Sequence, residues 1–334
     1  MSADKIFNAW KKKDFKPIYL LEGEEDYFID EIMNYAEHKI LSESEMSFNL
    51  TIFYGKDAEW TNVINSCKRY PMFAERQVVL LKEAQLMNSF NMLESYVESP
   101  LSSTIFIIAY KGKKIDKRTK LYKFIGNNGE IFNSAKVPEW KMEEWISNFV
   151  KSKGFVISSK SVTLLHQHIG DDLSRISSEI DKISINLKDK KSIDENDIEK
   201  FIGISKEYNI FELQNAISNK NLSVAMQILN YFEHNHKAAP IQMALPALYS
   251  FFSKVYAAYG MSDKSESALK SLFYNNFSVV KQAQATMRNY GYPGVEKIML
   301  LLNHYNLKGV GIGDSGTESA LLMKEMTVKM ILAI

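Results

Sequence analysis

Short apolar runs alternate with amphipathic segments through the first 137 residues. Runs typical of buried strands cover residues 17–23, 48–55, 76–84, 103–110 and 129–135. Between them, apolar residues such as Ile29, Ile32 and Met33 recur at helical spacing. The fourth run, STIFIIAY, is apolar on both faces, which indicates a parallel sheet covered on both sides. The pattern therefore predicts βαβ units and an open α/β sheet.

Helical patterns dominate after Val137-Pro138. SIDENDIEKFIG, residues 192–203, is typical of a short capped helix, and segments of helical periodicity fill the rest of the chain. We predict three domains: an α/β domain over residues 1–137, a small helical domain over 138–203, and an all-α domain over 204–334.

The sequence carries no phosphate-binding motif at the position that an α/β nucleotide fold would require. The first strand runs into GEEDYFID, with neither GxxxxGK[ST] nor GxGxxG. The Lys-rich stretch 111–123 lacks that spacing, and it is either a contact for phosphates or a solvated helix face. We predict no nucleotide binding and no cofactor; the alternative is a degenerate P-loop ATPase.

Composition excludes several other classes. The formal net charge of +1 marks neither a general nucleic-acid binder nor a membrane binder, and the lone Cys67 allows no disulfide and no Cys-based zinc site. No run approaches 18 apolar residues, and the charged N-terminus does not read as a signal peptide. We expect a cytoplasmic protein without a catalytic or metal site, because no nucleophile motif occurs.

Two segments remain as candidate contact sites. Met72-Phe73 is an apolar pair in a predicted turn after Pro71, where polar residues are usual. The pair either points outward as a partner anchor or folds back into its own core, and the residues alone leave both open. Lys281, Arg288 and Tyr290 form a weaker basic and aromatic segment where a DNA base could stack.

Four motifs in order resemble those of the delta subunit of the bacterial DNA polymerase III clamp loader. They are GEEDYF at residues 23–28, MFAER at 72–76, GDDLSRISSEIDKI at 170–183 and FELQNAI at 211–217. The resemblance runs through nearly the whole chain. It implies an AAA+-like first domain without a P-loop, a helical lid and a helical collar that joins the other loader subunits.

The resemblance also implies a function and a site. Delta subunits belong to the DNA polymerase III holoenzyme, do not hydrolyse ATP, and bind the beta sliding clamp so that its ring opens for loading on primed DNA. Their partners are gamma/tau and delta-prime type subunits and primer-template DNA. By position, Met72 and Phe73 would be the clamp anchor, and its rim would comprise Lys68, Arg69, Tyr70, Pro71 and Arg76. Met72 departs mildly from the family's usual Leu, but Met can fill a similar pocket. A helical scaffold with no clamp link is the remaining alternative.

Overall fold

A computed structural model describes residues 3–187, 190–205, 207–235, 241–273, 276–314 and 316–332. The chain divides into two compact units, Met1–Val137 and Pro138–Ile334. No helix in these described ranges is long and apolar enough to cross a membrane. The predicted further division at residue 203 stays a prediction.

The first unit combines five strands with six helices. In chain order they are α1 Ala3–Lys11, β1 Ile18–Gly23, α2 Asp26–Lys39, α3 Glu43–Asn49, β2 Leu50–Tyr54, α4 Trp60–Cys67, β3 Gln77–Lys82, α5 Glu94–Val97, β4 Thr104–Lys111, α6 Lys120–Asn128 and β5 Glu130–Ser134. The predicted strand over residues 48–55 needs correction: Phe48 and Asn49 are the last two residues of α3, and β2 begins at Leu50. Short 3-10 helices at Ala84–Leu86 and Phe90–Leu93 precede α5.

The five strands form one parallel sheet in the order β2-β3-β4-β1-β5. Successive residues of each central strand enter different cores. In β1, Ile18 and Leu20 pack with α4, α5 and α6, whereas Tyr19 and Leu21 pack with α1 and α2. The prediction of a parallel sheet covered on both faces is confirmed, because side chains alternate between faces along each strand.

The second unit is almost entirely helical. Its elements are α7 Glu139–Ser152, β6 Val156–Ile157, α8 Ser159–Ile169, α9 Leu173–Asn186, β7 Ser192–Ile193, α10 Glu195–Ile202, α11 Ile210–Ser218, α12 Leu222–His234, α13 Ile241–Ala258, α14 Glu266–Leu269, α15 Phe277–Gly309 and α16 Ser319–Leu332. The two-residue strands β6 and β7 pair in parallel, which the helical pattern did not predict.

The last helices share one core that includes Leu248, Phe252, Ile298 and Met326. Helix α15 is interrupted at Gly291, whose φ of 62° and ψ of 178° are not helical. That backbone region is accessible almost only to glycine, so Gly291 divides α15 into two helical parts. The predicted fold class, an α/β domain followed by helices, is confirmed.

Candidate protein-binding site

The loop that carries Met72 and Phe73 joins α4 to the first residue of β3. We call residues 68–76 the anchor loop. Met72 is 52% exposed, Phe73 is 95% exposed and Tyr70 is 77% exposed. The pair therefore does not fold back into its own core, and the loop presents three large side chains to solvent. Such a group of exposed apolar side chains is typical of a protein-interaction site.

The loop lies at the edge of the sheet where the strands begin. Its Met72 contacts Asn49 immediately before β2. The loop precedes Gln77 of β3, which donates to Thr104 at the start of β4. Nucleotides in open α/β folds bind at the opposite edge, beyond the carboxyl ends of the strands. The site is therefore separate from the position a nucleotide would occupy.

A buried polar cluster holds the first half of the anchor loop. Gln77 is 2% exposed, and its Nε2 lies 2.5 Å from the carbonyl oxygen of Arg69 and 2.8 Å from Oγ1 of Thr104. Thr104 in turn donates to the carbonyl oxygen of Cys67 at 2.8 Å. These bonds satisfy carbonyl groups left over at the end of α4, so the chain leaves the helix on a fixed path.

The backbone of Phe73 is unusual for an aromatic residue. Its φ is 54°, in the left-handed region that non-glycine residues rarely adopt. Such a conformation persists only where the surroundings hold it. Asn49 holds the residue before Phe73 in place. Its side chain accepts from the Met72 N–H at 2.7 Å and donates to the Met72 carbonyl at 2.9 Å.

The rim of the anchor loop is basic, and its arginines contact neutral groups. Arg69 donates from Nη2 to Oγ1 of Thr51 at 2.9 Å. Arg76 lies over the ring of Phe15, 5.0 Å from its centroid, and donates from Nη1 to the carbonyl of Lys13 at 3.3 Å. Neither of these contacts neutralises a guanidinium charge. The loop thus offers an apolar centre with cationic groups around it, an arrangement found at protein interfaces.

The other residues in and beside the anchor loop differ in exposure. Lys68 is exposed and Pro71 is half-buried, while Glu75 adds one exposed carboxylate to the rim. Cys67, directly before the loop, is fully buried, and burial raises the pKa of its thiol. The thiol therefore stays protonated and unreactive at neutral pH.

The opposite edge of the sheet shows ion pairs in place of a phosphate cradle. Lys82 at the end of β3 pairs with Glu37 at 2.6 Å, and Lys111 at the end of β4 pairs with Asp30 at 2.6 Å. Glu22 at the end of β1 is fully buried, and its burial raises the pKa of its carboxyl group. Lys82 and Lys111 are thus engaged with carboxylates at this edge.

No group of three or more His, Cys, Asp and Glu side chains among the described residues has the geometry to hold a metal. The Lys-rich stretch 111–123 includes Arg118, whose guanidinium is bonded to Asp116 at 2.7 Å. That contact lowers the pKa of the Asp116 carboxyl to about 2. Part of the positive charge in this stretch is therefore balanced locally.

The second candidate segment lies on α15. Lys281 and Arg288 are exposed, but Tyr290 is only 8% exposed and donates its hydroxyl to the carbonyl of Ile217 at 2.5 Å. Burial accordingly raises the pKa of Tyr290. Its ring is enclosed by the helical core and Lys220, so the expectation that Tyr290 stacks with a base is wrong. A DNA contact by Lys281 and Arg288 stays a prediction.

Sequence reasoning did not find the polar residues that support the anchor loop. Gln77 and Thr104 begin strands and Asn49 directly precedes one, and the bonds from these three to Arg69, Cys67 and Met72 join positions 8 to 37 apart in the chain. A weak signal was present, since Gln77 and Thr104 are polar at the first positions of otherwise apolar strands. Their roles depend on tertiary contacts that no local pattern encodes.

The architecture is similar to that of known proteins. The solved DNA clamp loader delta protein of Bacillus subtilis superposes with a TM-score of 0.58 at 21% identity, covering 99% of this chain and 100% of that one. The two proteins thus share a similar fold. Residues 19–135 match the family model described as DNA polymerase III, delta subunit.

Two curated relatives agree with that match. DNA polymerase III subunit delta of Bacillus subtilis is 25% identical over 67% of this chain and 68% of the relative. The probable DNA polymerase III subunit delta of Aquifex aeolicus is 20% identical over 83% of this chain and 82% of the relative. The predicted resemblance of the chain to delta subunits of DNA polymerase III is thus confirmed, with the family-model match lying in the first domain.

Proposed function

We propose that this delta-type subunit binds the ring-shaped beta sliding clamp through Met72 and Phe73. The observation that carries the proposal is the 95% exposure of Phe73 on a loop fixed by buried hydrogen bonds. An exposed aromatic side chain on a rigid support loses little conformational freedom when it enters a pocket. The cationic rim at Lys68, Arg69 and Arg76 favours a clamp surface with acidic groups around that pocket.

The proposed consequence of binding is opening of the ring. The subunit holds one clamp protomer and favours the open interface, so that the other loader subunits can place the ring on primer-template DNA. Its helical unit would join gamma/tau and delta-prime type subunits in the cytoplasm. The chain has no catalytic site of its own in this scheme, and the polymerase activity resides in the holoenzyme.

Clamp binding with paired double variants tests the site. We expect Met72→Ala/Phe73→Ala to weaken binding by about 30-fold or more, since one anchor side chain contributes about 2 kcal/mol. Leu86→Ala/Met92→Ala is the matched control, because Leu86 and Met92 are each 50% exposed in the same domain. Equal binding by the wild type and a folded anchor variant would refute the site, and no binding by the wild type would refute the function.

Ring opening has its own test. A ligand shifts an equilibrium only if it binds one state better than the other. The subunit should therefore bind a clamp variant that cannot close more tightly than the closed ring. Equal affinities would rule out the coupling while leaving clamp binding intact.

The rival function is ATP hydrolysis by a degenerate P-loop fold, which would need a phosphate site at the carboxyl edge of the sheet. Lys82 and Lys111 are already paired with carboxylates at this edge. Glu22 is buried on β1, the strand next to that of Lys111. We expect ATP-Mg²⁺ to leave the unfolding temperature of the chain unchanged. A concentration-dependent rise would revive the rival, because a ligand that binds only the folded state must stabilise it.

A further inference from the structure

The side chain of Asn49 bonds directly to the backbone of the anchor loop. It is 2% exposed at the end of α3, directly before β2. Its Oδ1 accepts from the Met72 N–H at 2.7 Å, and its Nδ2 donates to the carbonyl oxygens of Met72 at 2.9 Å and Glu45 at 3.1 Å. One carboxamide thus engages both backbone polar groups of Met72, as a neighbouring strand would.

The contact requires a carboxamide of this length. Asp keeps the oxygen that accepts from the Met72 N–H. Its second oxygen replaces the Nδ2 donor, however, and would face the carbonyl oxygens of Met72 and Glu45 without a hydrogen to share. Leu has a similar shape but leaves the Met72 N–H and carbonyl without their side-chain partner in a partly buried place. Gln adds a methylene group where Asn49 is already enclosed. The site is therefore specific for asparagine.

The Asn49 contact and the Gln77 contact hold the loop at two points. Gln77 holds the carbonyl of Arg69, and Asn49 holds Met72, so the segment from 69 to 72 is tied at both ends. Phe73 follows immediately with its φ of 54°. Because a left-handed conformation costs free energy for an aromatic residue, release of Met72 would let Phe73 return to commoner backbone angles.

We propose that Asn49 is a positioning residue for partner binding: it fixes the backbone of Met72 and thereby holds the Phe73 side chain outward before the partner arrives. The inference rests on the proposed clamp-binding function and deepens it. Asn49 is buried and does not contact the partner. It acts by raising the fraction of molecules whose anchor loop is ready to bind, and the apparent Kd rises as that fraction falls.

The test compares Asn49→Asp and Asn49→Leu with Asn128→Asp. Asn128 is a matched control, since its Nδ2 also donates to two backbone carbonyls, of Val97 at 2.8 Å and Glu98 at 3.0 Å, in the same domain. Each protein is measured in three ways: clamp affinity, hydrogen exchange of the Met72 amide, and urea unfolding. Exchange reports on the loop whether or not the clamp binds.

We expect both Asn49 variants to speed exchange at Met72 and to weaken clamp binding by about fivefold or more, since unpaired buried groups shift a local equilibrium by roughly 5- to 150-fold. Asn128→Asp should also lose hydrogen bonds to backbone carbonyls, but it should keep the wild-type affinity and Met72 exchange. Unchanged exchange in Asn49→Leu, or wild-type affinity in both Asn49 variants, would overturn the positioning role. If the wild type itself does not bind the clamp, the proposed function fails instead.

Discussion

Replacement of Phe73 by glycine should change stability and partner affinity in opposite directions. Phe73 is 95% exposed, so loss of its ring sacrifices almost no apolar area that folding buries. The φ of 54° is unfavourable for phenylalanine and readily adopted by glycine. The free protein should therefore become more stable while it loses its proposed anchor.

The size of the stability change follows from two opposing effects. Relief of the left-handed conformation is worth roughly 1–2 kcal/mol. Glycine also makes the unfolded chain more flexible, which costs about 0.5–1 kcal/mol. We expect a net gain of about 0.5–1 kcal/mol in the free energy of unfolding. Loss of the anchor should weaken clamp binding by about 2 kcal/mol, or roughly 30-fold.

Urea denaturation and clamp titration measure the two effects on the same samples. Phe73→Ala removes the ring but keeps a Cβ, so it should lose affinity without gaining stability. Glu83→Gly is the matched backbone control, because exposed Glu83 has a φ of 53° at the other end of β3. It should gain similar stability and keep its affinity. A Phe73→Gly variant that is less stable than the wild type would refute the reasoning, since the ring would then be packed in the free protein.

Three other substitutions test parts of the fold. Gln77→Leu should destabilise the first domain by about 1–3 kcal/mol in urea denaturation, because the carbonyl of Arg69 loses its buried donor; an unchanged midpoint would contradict that bond. Gly291→Ala should cost about 1–3 kcal/mol in the same assay, whereas Gly309→Ala should be tolerated, because Gly309 is the last residue of α15 and an added Cβ would make only ordinary van der Waals contacts; equal effects would contradict the break. For Glu22, burial raises the pKa of the carboxyl, so the folded state keeps its proton while the unfolded state releases it. The wild type should therefore lose stability relative to Glu22→Gln as pH rises above the ordinary pKa of 4.5, and a difference that does not vary with pH would contradict the shift.

Much of the first domain was predictable because its sheet is buried on both faces. Continuous apolar runs such as 103–110 have few other structural solutions, and their alternation with helical periods specifies parallel pairing. The error at Phe48 has a simple cause. Phe48, Leu50 and Ile52 alternate like a strand, but α3 runs to Asn49 and only Leu50 onward joins the sheet.

The candidate site was only half predictable. An apolar pair after Pro71 stands out in a sequence, but the direction of a side chain in a loop depends on contacts made elsewhere. Here Asn49 lies 23 positions from Met72, and its effect becomes visible only once β2 and β3 are paired. The prediction that Tyr290 stacks with a base was wrong for the same reason, since its hydrogen-bond partner Ile217 lies 73 positions away on another helix.

The attachment of the anchor loop to the strand starts has a mechanical consequence. A partner that pulls on Phe73 away from the domain would load the sheet along its strands, because the loop lies beyond the amino ends of β2, β3 and β4. In that direction the hydrogen bonds between parallel strands resist together, by sliding, rather than opening one after another. A load applied at one exposed side chain is then shared by the five-stranded sheet, so the domain would move as a rigid body.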